Sequence, residues 1–368
     1  MHVLIPVAHR LPHLWLVVAL LASTQVRCSS DGPPSSPDET ALCLMERAEL
    51  EADLATSLDD WDRDADFTLL LEEGQGHTFM HTVGDSDPDV LYRSASTSKW
   101  VTAVVILDLV AQGLMSLDDH PQSFLPWWPT SGNQSLITLT HLLSFTSGLD
   151  QEPLCINLPG ADPASCVRTI QEINSTSLPP GEAFHYGSAH MQVAGLMAIR
   201  ASGANDWSEV FETFQTRTGL FATAAYDLPS PENPRLAGGM HWNAVEYMAF
   251  LDALTDGTVL TEPLRREMVV DRLFGVRIDY SPVTEGLGSE WHYGLGLWLE
   301  CDGTTISCTQ DPILSSAGAY GAYPFIDREG GYFGIVAREG RLGSFDEGYR
   351  MIAALRPHLS AWAAADCP

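Results

Sequence analysis

Residues 94–113 read Ser-Ala-Ser-Thr-Ser-Lys-Trp-Val-Thr-Ala-Val-Val-Ile-Leu-Asp-Leu-Val-Ala-Gln-Gly. Small hydroxylated residues open the stretch, an apolar run follows, and Gly113 stops it. This predicts a buried helix over Ser96–Gln112. Lys99 is the only lysine of the chain; every other member of its 19 basic residues is Arg. Arg holds its proton, whereas a desolvated Lys can lose one near neutral pH. On a helix, positions i and i+3 share a face, so the Lys99 amine is expected to reach the Ser96 hydroxyl. A serine hydroxyl is a weak nucleophile until a base takes its proton. The first helical turn adds free N–H groups and a positive dipole end where negative charge develops.

Working outward, Glu39–Leu58 has helical spacing, and Phe67–Leu71 and His77–Val83 are β-rich runs joined by a hairpin signal at residues 72–76. Leu136–Phe145 and Ala189–Ala201 are expected helices. Strand-like runs return at Tyr293–Glu300, Ala322–Ile326 and Tyr332–Ala337, and Ser344–Ala364 is a closing helix. Strands at both ends with helices between imply one sheet built from the two ends around a helical insertion. The expected fold class is α/β of the α+β type, with an antiparallel sheet flanked by N- and C-terminal helices. One α/β lobe takes 39–114 and 287–368, and a mainly helical lobe takes 115–286.

The 368 residues carry 48 acids against 19 bases, a formal charge of −29. Nucleic acid and anionic membranes are thereby excluded as expected partners, since each phosphate contact would begin in repulsion. Arg10 followed by the apolar run Leu14–Ala22 reads as a signal peptide over 1–28, with a flexible leader over 29–38. Nine apolar residues are too few to span a bilayer as a helix, which takes about twenty. A secreted, periplasmic or cell-envelope location is expected. Cys28 stands where a lipid anchor would attach, but Arg27 before it fits that reading poorly.

The other six cysteines suggest disulfides in an exported chain. Close spacing favours Cys155–Cys166 and Cys301–Cys308, leaving Cys43 with Cys367. No Cys/His spacing suits zinc. His77 and His81 lie in a strand-like run without the chemistry of a metalloprotease helix, so no metal is expected.

Two further stretches fit acyl chemistry. Tyr186-Gly187-Ser188 follows a turn-rich loop, and a phenol held near an amine can shuttle protons. Ser315-Ser316-Ala317-Gly318-Ala319 precedes a strand, and its small residues let a substrate approach backbone N–H groups. In this order, the three elements resemble the serine β-lactamase and penicillin-binding-protein superfamily. The nearest likeness is to the class C β-lactamase-like branch, which includes D-alanyl-D-alanine carboxypeptidases, esterases and 6-aminohexanoate-dimer hydrolases. Residues 113–119, 141–149, 180–186 and 237–240 also resemble recurring segments of that branch.

The resemblance implies a β-lactamase/transpeptidase-like fold. It also implies Ser96 as acylated nucleophile, Lys99 as general base and Tyr186 as proton shuttle or base. The implied oxyanion hole is the N–H groups of Ser96 and Ala319. Ser188, Ser316 and Gly318 would contact a small-molecule or short-peptide substrate, and no cofactor is implied.

Two positions depart from the pattern: Ser188 replaces an Asn, and Ser316 replaces the cation of the third motif. Losing that cation weakens charge-assisted binding of a substrate carboxylate. The expected function is a secreted hydrolase of neutral esters or amides acting through an acyl-enzyme. Carboxypeptidase or β-lactamase activity, and a non-catalytic binding module, are the alternatives. Arg338 and Arg341 are candidate replacements for the missing cation.

Overall fold

The computed structural model describes residues 37–303, 308 and 311–365. The expected signal peptide, most of the leader, Cys28 and Cys367 lie outside the described residues, so the anchor and the Cys43–Cys367 pairing are not placed.

The frame comprises helices α1 (Pro37–Asp59), α2 (Ser98–Ala111), α3 (Ala189–Ser202), α4 (Ala244–Thr255) and α5 (Asp346–Ala363). Its strands are β1 (Phe67–Glu73), β2 (Thr78–Val83), β3 (Trp291–Tyr293), β4 (Trp298–Asp302), β5 (Leu314–Ser315), β6 (Tyr323–Asp327) and β7 (Tyr332–Arg338). Among the described residues they form a seven-stranded antiparallel sheet in the order β2-β1-β7-β6-β5-β4-β3. The first strand therefore pairs with the last, Leu69 opposite Val336. The expected single strand over Tyr293–Glu300 is instead the hairpin β3–β4. Gly294 and Gly296 supply its turn, Gly296 at φ +82°.

Every residue of β7 is buried, because both faces of the sheet are covered. On one face, Leu54 and Leu58 of α1 pack with Ile352, Leu355, Leu359 and Trp362 of α5. Polar bonds pin the two helices together. Glu51 accepts from the Trp362 indole at 3.0 Å, and Arg47 donates to the Ala365 carbonyl. Histidines set aside as metal ligands serve the same face: His77 meets Glu51 at 2.7 Å and His81 meets Asp59 at 2.9 Å. The other face belongs to the larger core, in which Trp100, Val104 and Leu107 of α2 and Tyr247, Phe250 and Leu254 of α4 are buried.

Helix α2 starts at Ser98, two residues later than the sequence pattern suggests. Residues Ala95–Thr97 form a 3-10 turn that feeds into it. Between α2 and β3 the chain is largely helical, with short strands at Ala183–His185, Met240–Trp242 and Arg277–Tyr280. No described helix is long and apolar enough to cross a membrane.

The expected Cys155–Cys166 and Cys301–Cys308 disulfides are present, with Cα separations of 5.6 and 5.9 Å. Cys155–Cys166 closes a segment with a sequence separation of 11. The Cys155→Ser/Cys166→Ser double variant is expected to lose about 2–3 kcal/mol, from the chain entropy that such a loop restores to the unfolded state. A urea midpoint measured against the parent checks this.

Candidate active site

The turn that carries Ser96 is strained and tightly braced. Ala95 has φ +46°, a left-handed conformation that costs a non-glycine residue roughly 1–2 kcal/mol. Hydrogen bonds within the turn and to residues 240–247 hold it. The Ser94 hydroxyl lies 2.7 Å from both the Thr97 and Ser98 hydroxyls. The Trp242 indole donates to the Thr97 hydroxyl at 2.8 Å, and the Tyr247 hydroxyl donates to the Thr97 carbonyl at 2.9 Å. The Ser94 N–H donates to the Met240 carbonyl at 2.9 Å.

Ser316 belongs to this brace. Expected to face a substrate, it is instead 2% exposed and donates its hydroxyl to the Ser96 carbonyl at 3.0 Å. Gly318 is also a packing position. A Cβ there would lie 2.7 Å from the Ser94 carbonyl oxygen and 3.0 Å from Thr97 Cγ2. Both residues therefore position the serine turn.

Lys99 lies one turn along, with its side chain folded back. Its Nζ is 2.9 Å from Ser96 Oγ and 2.8 Å from the Ala237 carbonyl. Burial pushes the amine down from 10.5 to about 7. Glu152 works against that shift and Arg235 adds to it. A neutral amine accepts a proton from a hydroxyl, so the pair is chemically poised at neutral pH.

Tyr186 lies beside them. The Lys99 nitrogen is 4.5 Å from the centre of its ring, and Tyr186 and Ser96 line the same cavity. Its ring stacks on Trp298 at 5.1 Å and meets Phe145 edge-on at 5.5 Å. Burial raises the phenol far above its usual range, against a smaller lowering by the nearby Ser96 hydroxyl. In that setting the hydroxyl form of Tyr186 is favoured at neutral pH. The segment 141–149 supports it from below. Phe145 meets the ring edge-on, and the Ser147 hydroxyl lies 2.8 Å from His190 Nδ1 on α3. Burial pushes that imidazole down to about 3, so it stays neutral.

Two cavities meet at Ser96. One, of roughly 180 Å³, includes Lys99, Ser188, Arg235, Ala319 and Tyr320. The other, of roughly 260 Å³, is mostly apolar and includes Tyr186, Val283, Trp298, Ala319 and Phe345. Ala319 lines both, and Ser188 lines the polar one. Next to Ser188, Glu152 accepts from the N–H groups of Ser188 and Ala189 at the start of α3.

The candidate cations fall elsewhere. Arg338 is fully buried on Asp64, with Glu347 at 4.0 Å. Arg341 does not line either cavity. Arg235, Glu152 and Trp298 were not identified from sequence. Each comes from a segment far from Ser96 in the chain, with no motif to mark it.

Among the described residues, one His/Cys group has metal-like proximity: His292, Cys301 and Cys308. Its two sulfurs are bonded to each other. His292 Nδ1 lies 2.7 Å from Asp271, an ion pair that supports β3.

Two outcomes follow from this geometry. Gly318→Ala is expected to lower kcat roughly 10- to 100-fold while leaving the circular dichroism spectrum unchanged, because its methyl displaces the serine turn. Lys99→Met is expected to abolish turnover yet raise stability, on the order of 1–4 kcal/mol at pH 7. A folded-state amine at about 7 against 10.5 means that the unfolded chain binds more protons between those values. The penalty is therefore full below pH 7 and gone above about 10.5. Thermal melts across that range should show the stabilisation of the variant shrinking as pH rises.

Comparison with known proteins places the chain among relatives of one fold. The chain is 41% identical over 84 residues to the esterase EstB of Burkholderia gladioli, covering 22% of this chain and 21% of that protein. It is 24% identical over 234 residues to penicillin-binding protein 4* of Bacillus subtilis, covering 58% and 48%. It thus spans about half or less of the length of these curated relatives. A penicillin-binding protein of Bacillus halodurans superposes with a TM-score of 0.63 at 20% identity, over 83% of this chain and 98% of that one. A D-amino acid amidase of Ochrobactrum anthropi gives 0.64 at 18% identity, over 86% and 98%. The sequence profile described as Beta-lactamase matches residues 71–352, from β1 into α5. The chain belongs to the beta-lactamase family.

Proposed function

We propose that the chain is an exported serine hydrolase that cleaves a carboxylic ester or amide through an acyl-enzyme on Ser96. The observation that carries this is the buried Lys99 amine, pushed down to about 7 and 2.9 Å from the Ser96 hydroxyl. Lys99 takes the Ser96 proton as Oγ attacks the carbonyl carbon. The N–H groups of Ser96 and Ala319 receive the developing oxyanion. As the intermediate collapses, the bond to the leaving alcohol or amine breaks. The proton then passes from Lys99 to the leaving group, with the neutral Tyr186 hydroxyl as relay. Water repeats the sequence on the acyl-serine and releases the acid.

The apolar cavity walled by Tyr186, Val283, Trp298 and Phe345 suits an apolar part of the donor. The site lies between the sheet-bearing part, 39–114 and 287–368, and the helical part, 115–286. We read these as two lobes around one cleft. Two disulfides and the apolar N-terminal run support export. An esterase among the relatives and an amidase among the structural neighbours support ester and amide chemistry.

An aryl ester or fluorophosphonate should add one acyl or phosphonyl group to the protein, seen by intact mass and located on Ser96 by peptide mapping. Ser96→Ala should remove both adduct and turnover. Full turnover in that variant would overturn the proposal. Below about pH 7, the rate of acylation should fall close to tenfold per pH unit as Lys99 becomes protonated. A flat profile between pH 5 and 7 would count against Lys99 as the base.

A further inference from the structure

We infer that Arg235 is the anion-recognition residue of this cleft, and that the preferred donors carry a carboxylate or similar anionic group in its polar half. The inference rests on the acyl-enzyme reading above and narrows its substrate class. Arg235 lines the same cavity as Ser96, Lys99 and Ser188. Among the described residues most arginines pair with an acid; Arg168, Arg200, Arg235 and Arg341 do not, and of these four Arg235 alone lines the Ser96 cavities. The formal charge is −29, so carboxylates are plentiful. Arg93, Arg217, Arg272, Arg277, Arg338 and Arg356 all sit on acids.

Among the described residues, Arg235 makes no salt bridge. Its side chain donates to a neutral amide oxygen, Asn157 Oδ1 at 3.2 Å, and its Nε is buried without a partner. Arg47, Arg265, Arg272, Arg338 and Arg356 share a buried Nε without a partner, but each of them has an acid beside it, so the unmatched guanidinium charge lining this cleft is particular to Arg235 and free to meet a ligand anion.

The arginine is also held in place. Asn157 lies on the segment stapled by the Cys155–Cys166 disulfide. Asn233 donates to the Cys155 and Leu158 carbonyls at 2.8 and 2.9 Å, and Ser230 donates to the Pro159 carbonyl at 2.7 Å. The loop bearing Arg235 is thus tied to that segment, and the guanidinium is set before substrate arrives. The third motif has a neutral Ser316 engaged with the Ser96 carbonyl, and Arg338 is engaged with Asp64. Positive charge returns to the cleft from a different loop, which reverses the expectation of a neutral substrate.

A role confined to holding the Lys99 amine neutral would affect every donor alike. Anion recognition would not, and this separates the two. The test uses ester pairs that differ only in a free carboxylate against its methyl ester, placed on the acyl group in one pair and on the leaving group in the other. The kcat/KM ratio within each pair is measured at one pH above 8 for the parent, Arg235→Gln and Arg235→Lys.

The parent is expected to favour the anionic member of one pair by roughly 10- to 100-fold, the worth of a charge-assisted hydrogen bond. Arg235→Gln should bring that ratio close to one, and Arg235→Lys should keep part of it. A parent ratio near one in both pairs, or a preference that survives Arg235→Gln, overturns the inference while leaving the acyl-enzyme reading intact. Turnover that persists in Ser96→Ala overturns both.

Discussion

Taking an ammonium group out of water is the constraint around which this molecule is arranged. Lys99 is 4% exposed, and its nitrogen keeps only a serine hydroxyl and the Ala237 carbonyl as close hydrogen-bond partners. In that setting the charged form is disfavoured, and the neutral amine becomes an acceptor. Nearby groups bias the balance in opposite directions. Glu152, at the start of α3, favours the proton, and Arg235, across the cavity, disfavours it. The base strength of the site is therefore distributed over segments that the chain brings together only on folding.

The same logic explains why the turn at Ser96 tolerates a left-handed alanine. The serine must project from the start of a helix into a cleft, while its flanking residues remain fixed. Ser94, Thr97 and Ser98 are buried and polar, and they are bonded to each other and to residues around 240, 242 and 247. Ser316 closes the ring from the end of β5. Strain of this kind persists where surrounding bonds over-determine the conformation, and such places are commonly sites of chemistry.

Much of this was legible in the sequence, for identifiable reasons. A lone lysine three residues after a serine is a local signal, and the i, i+3 geometry it implied appears as a 2.9 Å contact. The helices α2 and α3 and a single sheet built from both ends of the chain followed from apolar periodicity and from the placing of the strand-like runs. The turn at Gly294–Gly296 was missed because a continuous apolar run reads as one strand, although its glycines marked the break. Ser316 was given a substrate contact because a motif position states a residue type without a direction. Arg235 and Glu152 were invisible for another reason. Their importance comes from which neighbours they meet or lack, and that is decided by tertiary contacts far along the chain.

Restricting the chain to one lysine, and burying it, has a practical side. Reagents that modify primary amines find no lysine on the folded exterior, since the sole one is enclosed. A reagent that reaches position 99 has to enter the cleft, where an acylating group meets the Ser96 hydroxyl beside the amine. The polypeptide thus carries a single lysine whose modification reports on entry to its cleft.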